Sequence, residues 1–186
     1  MLQKNWSELI KPTKMEVNVE ESNGRIGKLT AEPLAAIFGM IASGLWIVTS
    51  IYSIGYMRGK KESNQTRFYS FFALAISATM GVAYSGNLIT LFIFYEILSL
   101  STYPLVTHHQ TEQAKKGGRT YLGVLLSTSI VFFLFAIVWI WSLTGTTEFV
   151  PGGILNGKAS PFITSLLMIL FIFGIGKAGV MPFHRW

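Results

Sequence analysis

From residue 33 onward the chain alternates between long apolar runs and short polar loops. The runs fall at about 33–56, 68–84, 88–107, 120–143 and 161–181. At about 1.5 Å rise per residue, helices of these lengths approach or exceed a hydrocarbon core of ~30 Å. The pattern therefore predicts an all-α, polytopic membrane helix bundle with about five transmembrane helices. Pro33 suits a first helical turn. The second run is rich in small residues (Ala73, Ala75, Ser77, Ala78, Gly81, Ala83), which let helix backbones approach closely. Ser85-Gly86-Asn87 reads as a tight turn into the third run, and Trp139 and Trp141 stand where an aromatic belt would place them. The fifth run carries Gly174, Gly176 and Gly179 and meets Pro182, which predicts a broken helix. Residues 1–32 are polar and predict an extramembrane segment ahead of a membrane domain at 33–186. Alternation over Met15–Glu20 and the turn signal Ser22-Asn23-Gly24 suggest a hairpin on the membrane surface.

Composition and charge sharpen this picture. Hydrophobic residues make up 51% of the 186 positions and charged residues 13%, against about a quarter charged in ordinary globular domains. Without cysteine the chain has no disulfide, thiolate metal site or cysteine nucleophile. The net charge of +6 would suit nucleic acid if it formed a patch. Instead it is concentrated in two loops: 57–67 holds four Lys/Arg and 108–119 holds three, against none in 85–87 and one in 144–160. By the positive-inside rule the basic loops face the cytoplasm or its equivalent, and the N-terminus lies on the outer side. Lipid is thus an expected partner and nucleic acid is not. The first apolar run is too long, and begins too far into the chain, to read as a cleavable signal peptide.

Two ionisable side chains fall inside apolar runs, Glu96 and Lys177. Glu96 stands near the middle of Leu88–Thr107, about 12 Å from the nearer end. An ionised group at that depth costs roughly 2.5–3.5 kcal/mol on insertion scales, so it needs a partner or a task. One reading is a salt bridge that only holds helices together. The other is a proton or ion relay, in which moving one charge changes the cost of keeping the other. A third places Lys177 at the end of its helix, snorkelling to the interface.

On a helix, Phe92, Glu96, Ser99 and Tyr103 share a face. Ser99 and Tyr103 could hydrogen-bond the acid, and Ser99 could equally bond back to its own helix. Ser127, Thr128 and Ser129 form a polar patch in the fourth run, with Ser127 and Thr128 as supporting candidates. His184 is a candidate proton carrier or a structural histidine beside the helix break. His108 and His109 read as solvated loop residues. The chain has no nucleophile–base constellation, no phosphate-cradling loop and no metal-ligand spacing, so no catalytic, cofactor or metal residues are assigned.

The run Asn87–Glu96, followed by Ser101-Thr102-Tyr103-Pro104-Leu105-Val106, resembles the signature helix of the antiporter-like subunits of respiratory complex I. These are homologous to subunits of multi-subunit cation/proton antiporters and of membrane-bound hydrogenases. Gly176–Trp186 resembles the family's broken-helix motif, a lysine followed by Pro-x-His-x-Trp. The resemblance covers about residues 33–186. It implies that Glu96 and Lys177 are the family's ion pair controlling proton transfer and that His184 is the motif histidine. It implies a part of a fourteen-helix fold with two inverted five-helix repeats, matching roughly the third to seventh helices.

Tyr103–Val106, Ala114–Leu122 and Gly152–Leu155 look most like the D-type subunits of the cation/proton antiporters. The family's first two helices and its second repeat have no counterpart, so a fragment or split gene product is expected, with a partner chain supplying the missing helices. The implied function is proton, or sodium/proton, translocation within a larger complex in an energy-transducing membrane: a bacterial or archaeal plasma membrane or the mitochondrial inner membrane. Such a subunit would be a non-catalytic pump element of a redox-driven translocase of the NADH:quinone oxidoreductase or hydrogenase type, or of a complex driven by an ion gradient. The alternative is a structural or assembly subunit.

Overall fold

A computed structural model describes residues 15–16, 27–179 and 181. Among these residues five helices follow one another: α1 (Pro33–Gly59), α2 (Gln65–Ala83), α3 (Leu88–Val106), α4 (Glu112–Thr144) and α5 (Pro161–Gly174). Three of them, α1, α3 and α4, are long and apolar enough to cross a membrane by length and composition. The protein is a polytopic helical membrane protein.

Local chemistry sets the helix ends. Pro33 opens α1. Asn87, Thr111 and Ser160 cap α3, α4 and α5 by accepting the amides of Thr90, Ala114 and Ile163, which satisfies donors that a helix start leaves free. The Thr111 cap starts α4 eight residues before the apolar run expected at Thr120, so its first two turns are polar and amphipathic. Gly145, at φ 70°, stops α4.

The expected fifth span is corrected more sharply. Its helix ends at Gly174 rather than Met181. Fourteen residues cover only about 21 Å, and the chain continues into a single 3₁₀ turn, Gly176–Ala178. Inside α4, residues Ser129–Leu134 form a π-helical segment with no counterpart in the sequence pattern.

α2 and α3 are the most closely packed helix pair. Ala75, Ala78 and Gly81 are buried, Gly81 directly against Phe94 of α3, while Ala73 and Ser77 face outward. α1 leans on α2 and is otherwise exposed, presenting Leu34, Met40, Leu45, Val48, Ile51 and Tyr52 outward. The main core lies where α3, α4 and α5 meet, around Leu88, Tyr95, Phe133, Ala136, Ile137, Ile140 and Leu167. Such cores in lipid are held by close packing and polar contacts rather than by escape from water.

At one end of the bundle the turn 84–87 is clamped between two other segments. The Thr30 amide donates to the Tyr84 carbonyl at 2.7 Å, Gly86 N to Lys28 O at 2.8 Å, and Leu88 N to Thr147 O at 2.9 Å. Two-residue strands β1 (Met15–Glu16) and β2 (Thr30–Ala31) pair antiparallel nearby. The expected hairpin turn at 22–24 lies outside the described residues. At the other end the Arg67 guanidinium donates to the His108 carbonyl at 2.8 Å, joining the start of α2 to the end of α3.

Candidate functional site

The site is built on α3, the π segment of α4 and the turn after α5. Glycine makes the approach possible. A Cβ on Gly174 would stand 2.7 Å from the amide nitrogen of Phe133, and one on Gly176 would strike the Thr128 hydroxyl. With only hydrogens at those positions, the broken end of α5 lies directly on α4 and carries Lys177 to α3.

There the lysine meets Tyr95. Its ammonium donates to the Tyr95 carbonyl at 2.8 Å and sits 3.8 Å from the centroid of the Tyr95 ring. Its backbone amide donates to the Tyr95 hydroxyl at 3.4 Å. The Ser99 hydroxyl also donates to the Tyr95 carbonyl, at 3.0 Å. The ring is 7% exposed and packs edge-on against Phe133 at 5.6 Å between centroids. Phe133 in turn packs on Phe92 and Phe171, so one buried ring ties together all three helices of the core.

Glu96 points from the next residue toward α4. Ser129 of the π segment lies close to the carboxylate, but its hydroxyl donates to the Leu126 carbonyl at 3.1 Å. Oε1 of Glu96 is buried without a hydrogen-bond partner. The ion pairs found among the described residues are Lys28–Glu148 and Lys115–Glu112. Glu96 and Lys177 make no direct ion pair. Both are half-buried rather than fully enclosed.

The other expected residues divide. Ser99 is fully buried and bonds back to its own helix instead of reaching the acid. Tyr103 packs against Gly118, a full turn or more from Glu96 along α3. Ser127 faces outward, and Thr128 is buried, its hydroxyl bonded to the Val124 and Leu125 carbonyls. His184 lies outside the described residues. His108 is not the solvated loop residue expected from its setting: both its ring nitrogens are buried without partners, and its ring packs on Phe68. Among the described residues no group of three His, Cys, Asp or Glu gathers to hold a metal.

Sequence reasoning missed Tyr95. An aromatic hydroxyl next to an intramembrane acid was the available signal, obscured because Tyr95 falls on a different face from Glu96.

The site thus places an acid on an apolar helix of a polytopic membrane protein, near a lysine carried by the turn that follows a short apolar helix. The family described as NADH:quinone oxidoreductase/Mrp antiporter, TM, matches residues 85–186, more than half of the chain and all of the site. The chain belongs to this family. It is 26% identical over 167 residues to NADH-quinone oxidoreductase subunit N of Desulforudis audaxviator, an alignment covering 86% of this chain and 32% of that one. Hydrogenase-4 component B of Escherichia coli is 27% identical over 159 residues, covering 85% of this chain and 23% of that protein. Na(+)/H(+) antiporter subunit A1 of Staphylococcus aureus is 26% identical over 170 residues, covering 85% and 20%. The chain thus spans about a third or less of the length of these relatives.

Proposed function

We propose that this chain is an ion-translocating element of antiporter type, working beside other membrane subunits in a larger complex and moving protons, or exchanging sodium for protons. The observation that carries the reading is the placement of Lys177 on Tyr95, one residue from Glu96 and without an ion pair to it. A lysine stem has four flexible carbons, so a side-chain rotation separates the two positions. With Lys177 on Tyr95, Glu96 is neutral when it holds a proton. When the ammonium moves onto Glu96, it replaces that proton as the neutralising charge and the proton leaves. Return of the lysine lets the carboxylate take up another proton.

Membership of the family supports this reading, since its relatives are named as subunits of NADH-quinone oxidoreductase, hydrogenase and sodium/proton antiporter. His184 would extend the proton path, and Ser129 would serve the acid more directly than Ser127 or Thr128. Residues 1–32 would lie outside the membrane domain of 33–186, on the outer side of an energy-transducing membrane, with the basic loops inside.

The test is ion transport by the assembled complex in vesicles. Glu96→Gln and Lys177→Met should each abolish transport while the chain still assembles. Transport at the unsubstituted rate in both would overturn the reading. One observation favours a second, structural reading: the Lys177 ammonium is tied to the main chain of α3, as a helix-joining contact would be. On that reading the double substitution Glu96→Gln/Lys177→Met preserves transport.

A further inference from the structure

We propose that Tyr95 is a positioning residue, its carbonyl and ring face together forming a resting seat that holds the Lys177 ammonium off the Glu96 carboxylate. The proposal deepens the reading above, and rests on it only for the consequence for transport.

Three contacts converge on this one residue and divide into two functions. The hydroxyl receives the Lys177 amide at 3.4 Å and so holds the main chain of the 3₁₀ turn. The carbonyl at 2.8 Å and the ring at 3.8 Å hold the charged end of the side chain. A cation over an aromatic face is attracted by the ring quadrupole, more strongly where water is excluded. A helix carbonyl normally has a spare lone pair. Here that capacity is shared between Ser99 and Lys177.

The seat is rigid. Tyr95 is buried, and its ring is braced edge-on by Phe133 of the π segment. Phe133 is itself backed by the end of α5 at Gly174. The Tyr95 carbonyl belongs to the peptide that leads into Glu96, so the seat lies one planar peptide unit from the Glu96 Cα. The lysine, with its four-carbon stem, has the longer reach of the two side chains. Removing the ring weakens the seat and leaves the acid where it is, and the lysine population then shifts toward Glu96.

The experiment measures where the lysine is, independently of transport. Native membranes containing the complex are treated with dicyclohexylcarbodiimide. It activates the Glu96 carboxyl and yields an amide to Lys177 only where amine and carboxyl touch, with loss of the dicyclohexylurea. Mass spectrometry then quantifies the peptide pair joined through residues 96 and 177. The unsubstituted chain should give little of this product. Tyr95→Leu should raise it about tenfold. Tyr95→Phe, which keeps the ring and the carbonyl, should stay near the unsubstituted level. Equal yields from the unsubstituted and Leu chains would overturn the proposal.

A measurement without substitution covers failure of Tyr95→Leu to assemble. In the unsubstituted chain, solid-state NMR transfer from the ¹⁵Nζ of Lys177 should reach the ¹³C carbonyl of Tyr95. Transfer to the Glu96 carboxyl carbon instead would overturn the proposal. Transport that survives Lys177→Met, together with a raised cross-link in Tyr95→Leu, would leave the seat standing and remove the functional reading.

Discussion

Gly174 rests on Phe133: a Cβ built at the glycine falls 2.7 Å from both the amide nitrogen and the Cβ of the phenylalanine. Two of the three nearest atoms are backbone, so no rotamer change relieves the clash. Gly174→Ala should push the end of α5 away from the π segment and cost about 1–3 kcal/mol, the usual range for overpacking. Gly123, also on a helix, has nothing within 4 Å of such a Cβ, so Gly123→Ala should be neutral or slightly stabilising. Thermal unfolding of the two variants in the same detergent compares them directly.

The clamp at the opposite side of the core makes a second contrast. Asn87 is fully buried and accepts the Thr90 amide at 2.7 Å, while Lys28 and Glu148 pair at 3.1 Å with about two-fifths of each side chain exposed. Loss of the cap by Asn87→Ala should cost roughly 0.5–2 kcal/mol. Loss of the surface pair by Lys28→Ala should cost about 0–1 kcal/mol and vanish at high salt. Chemical denaturation at low and high ionic strength separates the two effects.

These contrasts mark what could be read from sequence. The apolar runs marked a polytopic helix bundle, and the small residues of the second run marked a helix able to approach a neighbour closely, because both depend on local pattern. The break after α5 was legible in its glycines. Its extent was not, since where a glycine-rich helix stops depends on what it packs against, here Phe133 and Thr128. The π segment has no composition signature. Ser129 at its start is buried while Ser127, two residues earlier, faces out, as positions i and i+2 of any helix do. Pairing Glu96 with Lys177 by sign and by family resemblance left out a neutral partner, the Tyr95 carbonyl, that every peptide offers and no sequence marks.

A pH effect is expected outside the membrane, at the start of α4. The Lys115 ammonium bonds Glu112 at 2.9 Å. That hydrogen bond first, then the Coulombic pull of Lys115 and Arg119, holds the Glu112 carboxyl below its usual range. A depressed carboxyl stabilises the fold above its unfolded pKa and loses that contribution as pH falls through the lowered folded value. Lys115→Gln should therefore raise the Glu112 midpoint toward the ordinary carboxylate value. Carbon-13 titration of the Glu112 carboxyl checks this, and an unmoved midpoint would refute it.

The most informative comparison at the site is between two serines of one helix. Ser129 is fully buried and lies beside Glu96, whereas Ser127 is exposed on the outer face. Oε1 of Glu96 already lacks a partner. Ser129→Ala would remove the hydroxyl beside the carboxylate, and an unmatched buried polar group costs about 1–3 kcal/mol. If Glu96 must carry charge during each cycle, that cost falls on the charged state, and transport should slow roughly tenfold. Ser127→Ala removes a hydroxyl of the same size from the same turn of helix but does not touch the acid, and should change the rate by less than about twofold. Ser129→Thr keeps the hydroxyl and should recover most of the rate if the extra methyl fits beside the π segment. Equal rates in Ser129→Ala and Ser127→Ala would mean that Glu96 does not draw on α4 when it ionises. Its charge would then have to be met from the lysine side alone.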